Sequence, residues 1–357
     1  MKPHLWVRAE GRDNEQRVGI TPQGCAALLK QGFRVTVESA PDRAIPISGY
    51  RRAGAVIADE ASWPSAPHEA IILGLKELPD DGTPLRHRHV MFGHAYKGQA
   101  DAPRLLQRFR NGGGVLLDLE YLVDDSGRRV AAFGYWAGYA GAAMGLKVWA
   151  AQQAGLLPGP TKIGTFASRN ALLEDLRSDL SAALSNGATP PSAIIIGARG
   201  RVGTGAGDLL DAMELQTTRW DMAETASGGP FPEILTHDLF INCVLAAPGI
   251  PVFVPKSALA AKRNLSAIAD VSCDPSSAYN PVPIYDRATS FDDPVVRVAE
   301  DPVLDVTAID NLPSMLPVES SEDFAAQLLP FLMTLERMKD GVWARARAVF
   351  DTHVSLL

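Results

Sequence analysis

The chain has 357 residues, 46% of them hydrophobic and 21% charged, with a formal net charge of −7. This length exceeds one ordinary domain and points to two domains sharing a cleft, while the residue mixture excludes a disordered chain. The acidic balance, with no basic stripe and interleaved aromatics, argues against nucleic acid as a partner. Three cysteines, Cys25, Cys243 and Cys273, form an odd set without metal-like spacing, which suits a reducing compartment and gives neither a disulfide framework nor a metal site. The N-terminal MKPHLWVRAEGRDNEQR holds no continuous apolar run, and no segment reaches the roughly 18 apolar residues that span a membrane. The expectation is a soluble cytoplasmic protein without membrane contact, acting as a monomer or small homo-oligomer.

In chain order, short apolar runs alternate with helical patterns. LWVRAE precedes a helix over 22-PQGCAALLKQG-32; FRVTVES, AIILGLK and HVMFGHA follow, and another helix precedes GVLLDLEYL. Strands separated by helices imply a parallel sheet, in which working residues sit just past the carboxyl ends of the strands. The pattern then changes at 134-GYWAGYAGAAMGLKVWAAQQAG-155, a long helix whose glycines and alanines permit close packing and which reads as the connector between domains. A second alternating unit starts at 193-AIIIGARGRVGTGAGDLLDAMEL-215, read as strand, glycine turn and helix, with 217-TTRWDM-222 as the next strand. After 300-EDPVLDVTAIDNLPSMLPVESS-321 comes an amphipathic helix over 322-EDFAAQLLPFLMTLERM-338, assigned to a chain returning to its first domain. The fold class is therefore α/β: two Rossmann-like domains with parallel sheets flanking an active-site cleft. Residues 1–133 and 320–357 form the catalytic domain, and 134–319 the dinucleotide-binding one.

The turn 197-GARGRVG-203 matches the dinucleotide fingerprint in part, with Ala198 at the first glycine place and Gly200 and Gly203 at the second and third. Gly200 lets backbone amides approach a pyrophosphate, Gly203 allows close helix packing, and the helix N-terminus offers its positive dipole end. An acid about 20 positions further on takes the ribose hydroxyls. Asp221 stands there, with Glu224 as a second candidate. Arg199, Arg201 and Arg219 can attract a 2′-phosphate, but a carboxylate at Asp221 repels one, which favours NAD. The plainer alternative is a glycine-rich turn without a ligand.

Lys76 ends the run AIILGL, and His94 follows VMFG at the equivalent level, so both face the same sheet edge. Acid–base catalysis needs such a pair, because a histidine titrates near neutrality and a lysine joins it when its surroundings lower its pKa. Glu77 and Glu120 are placed to hold that balance. Taken alone, a lysine after a strand is more often a solvated charge, and a lone histidine a structural residue.

The segments QRVGITP, GLKELP, FGHAYKGQ, DLEYLVDDSGRRVAAFGYWAGYAGAA, ADVSCDP and AIDNLPSMLP, in this order, resemble the NAD-dependent, lysine-forming saccharopine dehydrogenases over nearly the whole chain. They are similar more distantly to alanine dehydrogenase and the nicotinamide nucleotide transhydrogenases. The resemblance implies oxidative cleavage of saccharopine to lysine and 2-oxoglutarate. In it Lys76 is a general base and His94 a general acid–base, and Glu77 and Glu120 tune the pair. Saccharopine carries three carboxylates, for which the resemblance offers Arg17, Lys97 and Arg129, with Gln99 adding a hydrogen bond. Gly197, Arg199, Gly200, Arg201, Val202 and Gly203 are implied to surround NAD with Asp221, while Asp270 and Asp310 line the cleft near the nicotinamide. The plainer alternatives are a strand-end cap for Asp270 and a helix N-cap for Asp310. The spacing G-x-x-G-x-x-G follows the saccharopine enzymes rather than alanine dehydrogenase. Val202 and Cys243 stand where some fungal members carry a cysteine pair, so no disulfide is expected. The competing reading is an NAD-dependent dehydrogenase of the same fold acting on alanine or another opine-like amine; a nucleotide sensor without chemistry is disfavoured by Lys76 and His94.

Overall fold

The computed structural model describes residues 2–12, 14–99 and 101–357. Along the chain run β1 (His4–Val7), α1 (Pro22–Lys30), β2 (Arg34–Glu38), α2 (Ile47–Arg52), β3 (Val56–Ala58), β4 (Ile71–Leu73), β5 (Arg88–Met91), α3 (Ala102–Gly112) and β6 (Val115–Asp118). Then come α4 (Gly134–Gln153), α5 (Arg169–Ser185), β7 (Ala193–Ile196), α6 (Arg201–Ala212), β8 (Thr217–Trp220), α7 (Met222–Thr225), β9 (Leu239–Asn242), β10 (Ala267–Asp270), β11 (Val296–Glu300) and β12 (Val303–Thr307). The chain closes with α8 (Pro317–Leu332) and α9 (Gly341–Ser355). Two compact units result: Met1–Ala132 with Pro317–Leu357, and Phe133–Leu316.

In the first unit the strands lie in the order β3-β2-β1-β4-β5-β6, and every pair is parallel. Ile71, Ile72, Leu73, Val90, Met91, Leu116 and Leu117 are buried, as expected of a parallel sheet covered on both faces. The strand order reverses between β1 and β4. That reversal is the topological switch point, where the carboxyl ends of two strands leave room for a ligand. Helix α1 starts with Pro22 after Thr21, whose hydroxyl accepts from the Gly24 amide, a pairing of cap and first-turn proline that sets the helix start.

The second unit has the order β11-β12-β10-β9-β7-β8, parallel except for β11 against β12. Its sheet is buried between two apolar clusters, one built largely on α4, α5 and α6 and the other on loops that include Phe231, Phe253 and Tyr285. The small residues of α4 act where expected. A Cβ added at Gly138 lies 1.8 Å from the Val202 carbonyl oxygen of α6, so only glycine allows the two helices to approach this closely. The helix expected over 322–338 starts earlier, at Pro317, and ends at Leu332, with a separate short turn at Leu335–Arg337. Among the described residues, no helix is long and apolar enough to cross a membrane, and no cluster of His, Cys, Asp and Glu is arranged to hold a metal ion.

Candidate active site

Past Leu73 the chain keeps two more rungs with its neighbour: the Gly74 amide donates to the Val90 carbonyl and the Phe92 amide to Leu75, each at 3.0 Å. These rungs carry Lys76 beyond the sheet in a fixed direction, and it is 9% exposed. The Lys76 amide donates to the Glu10 carboxylate at 3.0 Å, and its carbonyl accepts from Arg8. Arg17 is 3% exposed and binds Glu15 in bidentate fashion, Nε to Oε1 at 2.8 Å and Nη2 to Oε2 at 2.6 Å. Burial pushes the Glu15 carboxyl up, but the Arg17 charge and hydrogen bonds, helped by Lys76, outweigh it and hold the group below the usual carboxylate range. A cavity of about 40 Å³ opens beside these groups, lined by Glu10, Glu15, Gln16, Arg17, Arg43 and Glu60 among others.

His94 follows β5 with φ +47°, a left-handed conformation uncommon outside glycine. Its exposed ring lies parallel to Phe92, and Nε2 stands 3.4 Å from Glu77. The buried Asp118, at the end of β6, accepts from the Gly93 amide at 3.1 Å and from the Glu120 amide at 2.8 Å, tying together the ends of β5 and β6. Burial pushes Asp118 up to about 6 despite those two amides. Glu120 pairs with Lys97 Nζ at 2.6 Å and with Arg129. Burial raises the Glu120 carboxyl, and the Lys97 hydrogen bond and the two cationic charges more than reverse that, leaving it lowered. Gln99 accepts from the Lys97 amide at 2.8 Å. The structure thus brings Glu120, Lys97, Gln99 and Arg129 together, His94 with Glu77, and Arg17 with Glu15. Sequence reasoning missed Arg8, Glu10, Glu15 and Asp118; only Asp118, the acid that closes the strand run VLLD, left a local signal.

In the second unit the glycine turn is anchored at both sides. Gly197 adopts φ +86°, and its amide and that of Ala198 donate to the Trp220 carbonyl. Gly200 is the N-cap of α6, so Arg201, Val202 and Gly203 form the first turn, whose amides have no intrahelical acceptor. A Cβ at Gly203 lies 2.2 Å from the Gly197 carbonyl oxygen, whereas one at Gly200 meets nothing nearer than 3.4 Å. Asp221 follows β8 and caps α7, and it accepts from the Arg199 amide at 2.9 Å. A carboxylate has about four acceptor positions, so capacity for ribose hydroxyls remains. Arg219 is fastened to both carboxylate oxygens of Asp211 at 2.6 Å. This turn suits a pyrophosphate: a glycine at position 200 whose surroundings leave room for close approach, a helix N-terminus and an acid just past the next strand.

Asp270 is 1% exposed and accepts from Asn242 at 2.9 Å, the Tyr285 hydroxyl at 2.8 Å and the Ser272 amide at 3.2 Å. Burial raises it. Asp310 is exposed, and the short helix after it is capped by Asn311, so the N-cap alternative for Asp310 does not hold.

Residues 6–140 match the family model described as alanine dehydrogenase/PNT, N-terminal domain. The saccharopine dehydrogenase (NAD(+), L-lysine-forming) of Yarrowia lipolytica is 45% identical over 98% of this chain and 97% of its own length. That of Schizosaccharomyces pombe is 42% identical over 99% of each. The chain belongs to the NAD-dependent, lysine-forming saccharopine dehydrogenase family. A solved L-alanine dehydrogenase, 18% identical, superposes with a TM-score of 0.65 over 98% of this chain and 99% of its own. A transhydrogenase from Sinorhizobium meliloti, 15% identical, gives 0.64 over 96% and 97%. Those two share the fold.

Proposed function

We propose that this chain catalyses the NAD-linked oxidative cleavage of saccharopine to lysine and 2-oxoglutarate, and the reverse reductive condensation. Identity of 42–45% along the full length of relatives named for that reaction carries the reading. NAD would supply the acceptor for the hydride of the glutarate-side α-carbon. Gly197, Arg199, Gly200, Arg201, Val202 and Gly203 would hold its pyrophosphate side, Asp221 would take the ribose hydroxyls, and Asp270 and Asp310 would stand beside it.

The remaining steps belong to the first unit. Lys76 accepts the proton of the secondary amine as the carbon–nitrogen double bond forms, and returns it to nitrogen as water adds. His94 takes a proton from the water that adds to the imine carbon and gives it to nitrogen as the carbon–nitrogen bond of the carbinolamine breaks, while Lys76 takes the hydroxyl proton as the ketone forms. Glu77, 3.4 Å from His94, and Glu120 set the charge around the pair. Arg17, Lys97 and Arg129, with Gln99, receive the three substrate carboxylates. Each of these cations already holds a glutamate, so their number does not by itself separate saccharopine from alanine; family membership does.

The test is NADH consumption by the purified chain, given lysine with 2-oxoglutarate in one assay and pyruvate with ammonia in another. Turnover in the first only is the expected result. Turnover in the second only would move the chain to another amine substrate.

A further inference from the structure

Lys76 lies beyond the end of β4, where its backbone must be held without a full sheet ladder. On one side β5 still serves, through the Phe92 amide and the Leu75 carbonyl. On the other side β1 ends: its register with β4 stops at Val7 opposite Leu73, and the Arg8 amide to the Leu73 carbonyl, at 3.0 Å, is the last main-chain rung. From there two buried side chains continue the ladder. Glu10 offers its carboxylate oxygens to the Leu75 amide at 2.7 Å and the Lys76 amide at 3.0 Å, as strand carbonyls would. Arg8 donates to the Lys76 carbonyl, as a strand amide would, and to the Ala9 carbonyl at 3.0 Å. An ion pair at 3.2 Å locks Arg8 to Glu10. Gly74 makes this possible, since a Cβ there lies 2.3 Å from Arg8 Nε.

We propose that Arg8 and Glu10 are positioning residues that hold the peptide units on both sides of Lys76 and thereby aim its amino group at the substrate nitrogen. The inference rests on Lys76 being the base. A strand in place of these two side chains would run on over the sheet edge where that reading places the substrate; a side-chain ladder ends the sheet while keeping the lysine backbone fixed. Both buried amides also need Glu10, because an unmatched buried donor is costly. A catalytic group displaced by about 1 Å loses on the order of a hundredfold in rate.

The experiment is a double-mutant cycle on the full chain, with kcat, NADH affinity and thermal midpoint measured for Glu10→Gln, Lys76→Met and the pair. Glu10→Gln keeps shape but turns an NH₂ group toward one amide. The expected result is a fall in kcat of about tenfold to a hundredfold, unchanged NADH affinity, and no further fall when Glu10→Gln is added to Lys76→Met. Equal losses in both backgrounds would overturn the proposal, since Glu10 would then act independently of Lys76, as would wild-type turnover in Glu10→Gln. Wild-type turnover in Lys76→Met would instead remove the base assignment itself. If Glu10→Gln does not fold, Arg8→Lys, which loses the fork geometry, is read by the same criterion.

Discussion

The glycine turn offers a perturbation whose two versions separate packing from ligand binding. At Gly203 a methyl group would stand 2.2 Å from the Gly197 carbonyl oxygen and 2.5 Å from the Ala198 Cα, both backbone atoms that cannot swing aside. Relief requires α6 and the turn to part by about 1 Å, an overpacking strain of ~1–3 kcal/mol. For a unit of this size that lowers the thermal midpoint by about 2–4 °C per kcal/mol. At Gly200 the backbone has φ −73°, ordinary for alanine, and the nearest atom to an added Cβ is 3.4 Å away. Gly200→Ala therefore melts within ~0.5 kcal/mol of wild type. Its methyl group nevertheless occupies the space over the amides, and losing one charge-assisted hydrogen bond to a pyrophosphate, worth ~1.5–3 kcal/mol, weakens NADH binding by about tenfold to a hundredfold. Calorimetric melting and NADH fluorescence titration of the two variants make the assay. Unaltered NADH affinity in Gly200→Ala would show that no phosphate passes over this turn, and unaltered melting in Gly203→Ala would refute the packing argument.

Three further outcomes are expected. Lys76→Met and His94→Ala each lower turnover by about 10²–10⁴-fold while NADH affinity stays near that of wild type; a matching loss of affinity would make either residue structural. Asp118→Asn, which leaves the Gly93 or Glu120 amide facing an NH₂ group, lowers kcat by about tenfold, and unchanged kcat would show that the ends of β5 and β6 hold without it. His89 is fully buried against Trp63 and Phe109, and among the described residues neither of its ring nitrogens has a hydrogen-bond partner. Burial holds its pKa well below 6.5, so the unfolded chain binds the proton first and stability is lost as pH falls below about 6.5. Burial lowers His4 and His87 in the same direction, while the raised Asp118 and Asp270 act oppositely. The difference in unfolding free energy between His89→Leu and wild type cancels those other groups, and it should move in favour of the variant on acidification; a difference independent of pH would sink the reasoning.

How much of this was legible in the sequence depended on whether the signal was local. The places of Lys76 and His94 past strand ends could be read because each follows a short apolar run, and the parallel-sheet rule then puts both at a carboxyl edge. The glycine turn was legible for the same reason, with strand, turn, helix and acid all within one short segment. Glu10 was not, because its partners Leu75 and Lys76 are brought to it only by the pairing of β1 with β4. RAE reads from sequence as the tail of a strand. The hairpin of β11 and β12 was hidden differently: Arg297 and Glu300 interrupt its apolar pattern, and only the structure shows Arg297 bonded to the fully buried Asp305 at 2.7 Å. Helix α9 does carry helical spacing, in Val342, Trp343, Ala346 and Phe350, but without a cap hydrogen bond to mark its start.

The pairing of cations with glutamates explains why substrate size could not be read from a count of arginines and lysines. An uncompensated cation as buried as Arg17 would carry a heavy desolvation cost in the substrate-free chain, and the wholly buried Glu15 removes it. That pair sums to no charge and is fixed by a bidentate geometry. Lys97 and Arg129 differ, being 54% and 44% exposed and sharing a single carboxylate, so their cluster with Glu120 carries one net positive charge at the surface. Long exposed side chains can leave Glu120 for an incoming carboxylate at little cost, because surface pairs of this kind contribute only ~0–1 kcal/mol. On the proposed reading the anion-attracting part of the site is therefore the Lys97–Arg129 side, and Arg17 would contribute orientation through its fixed pairing with Glu15.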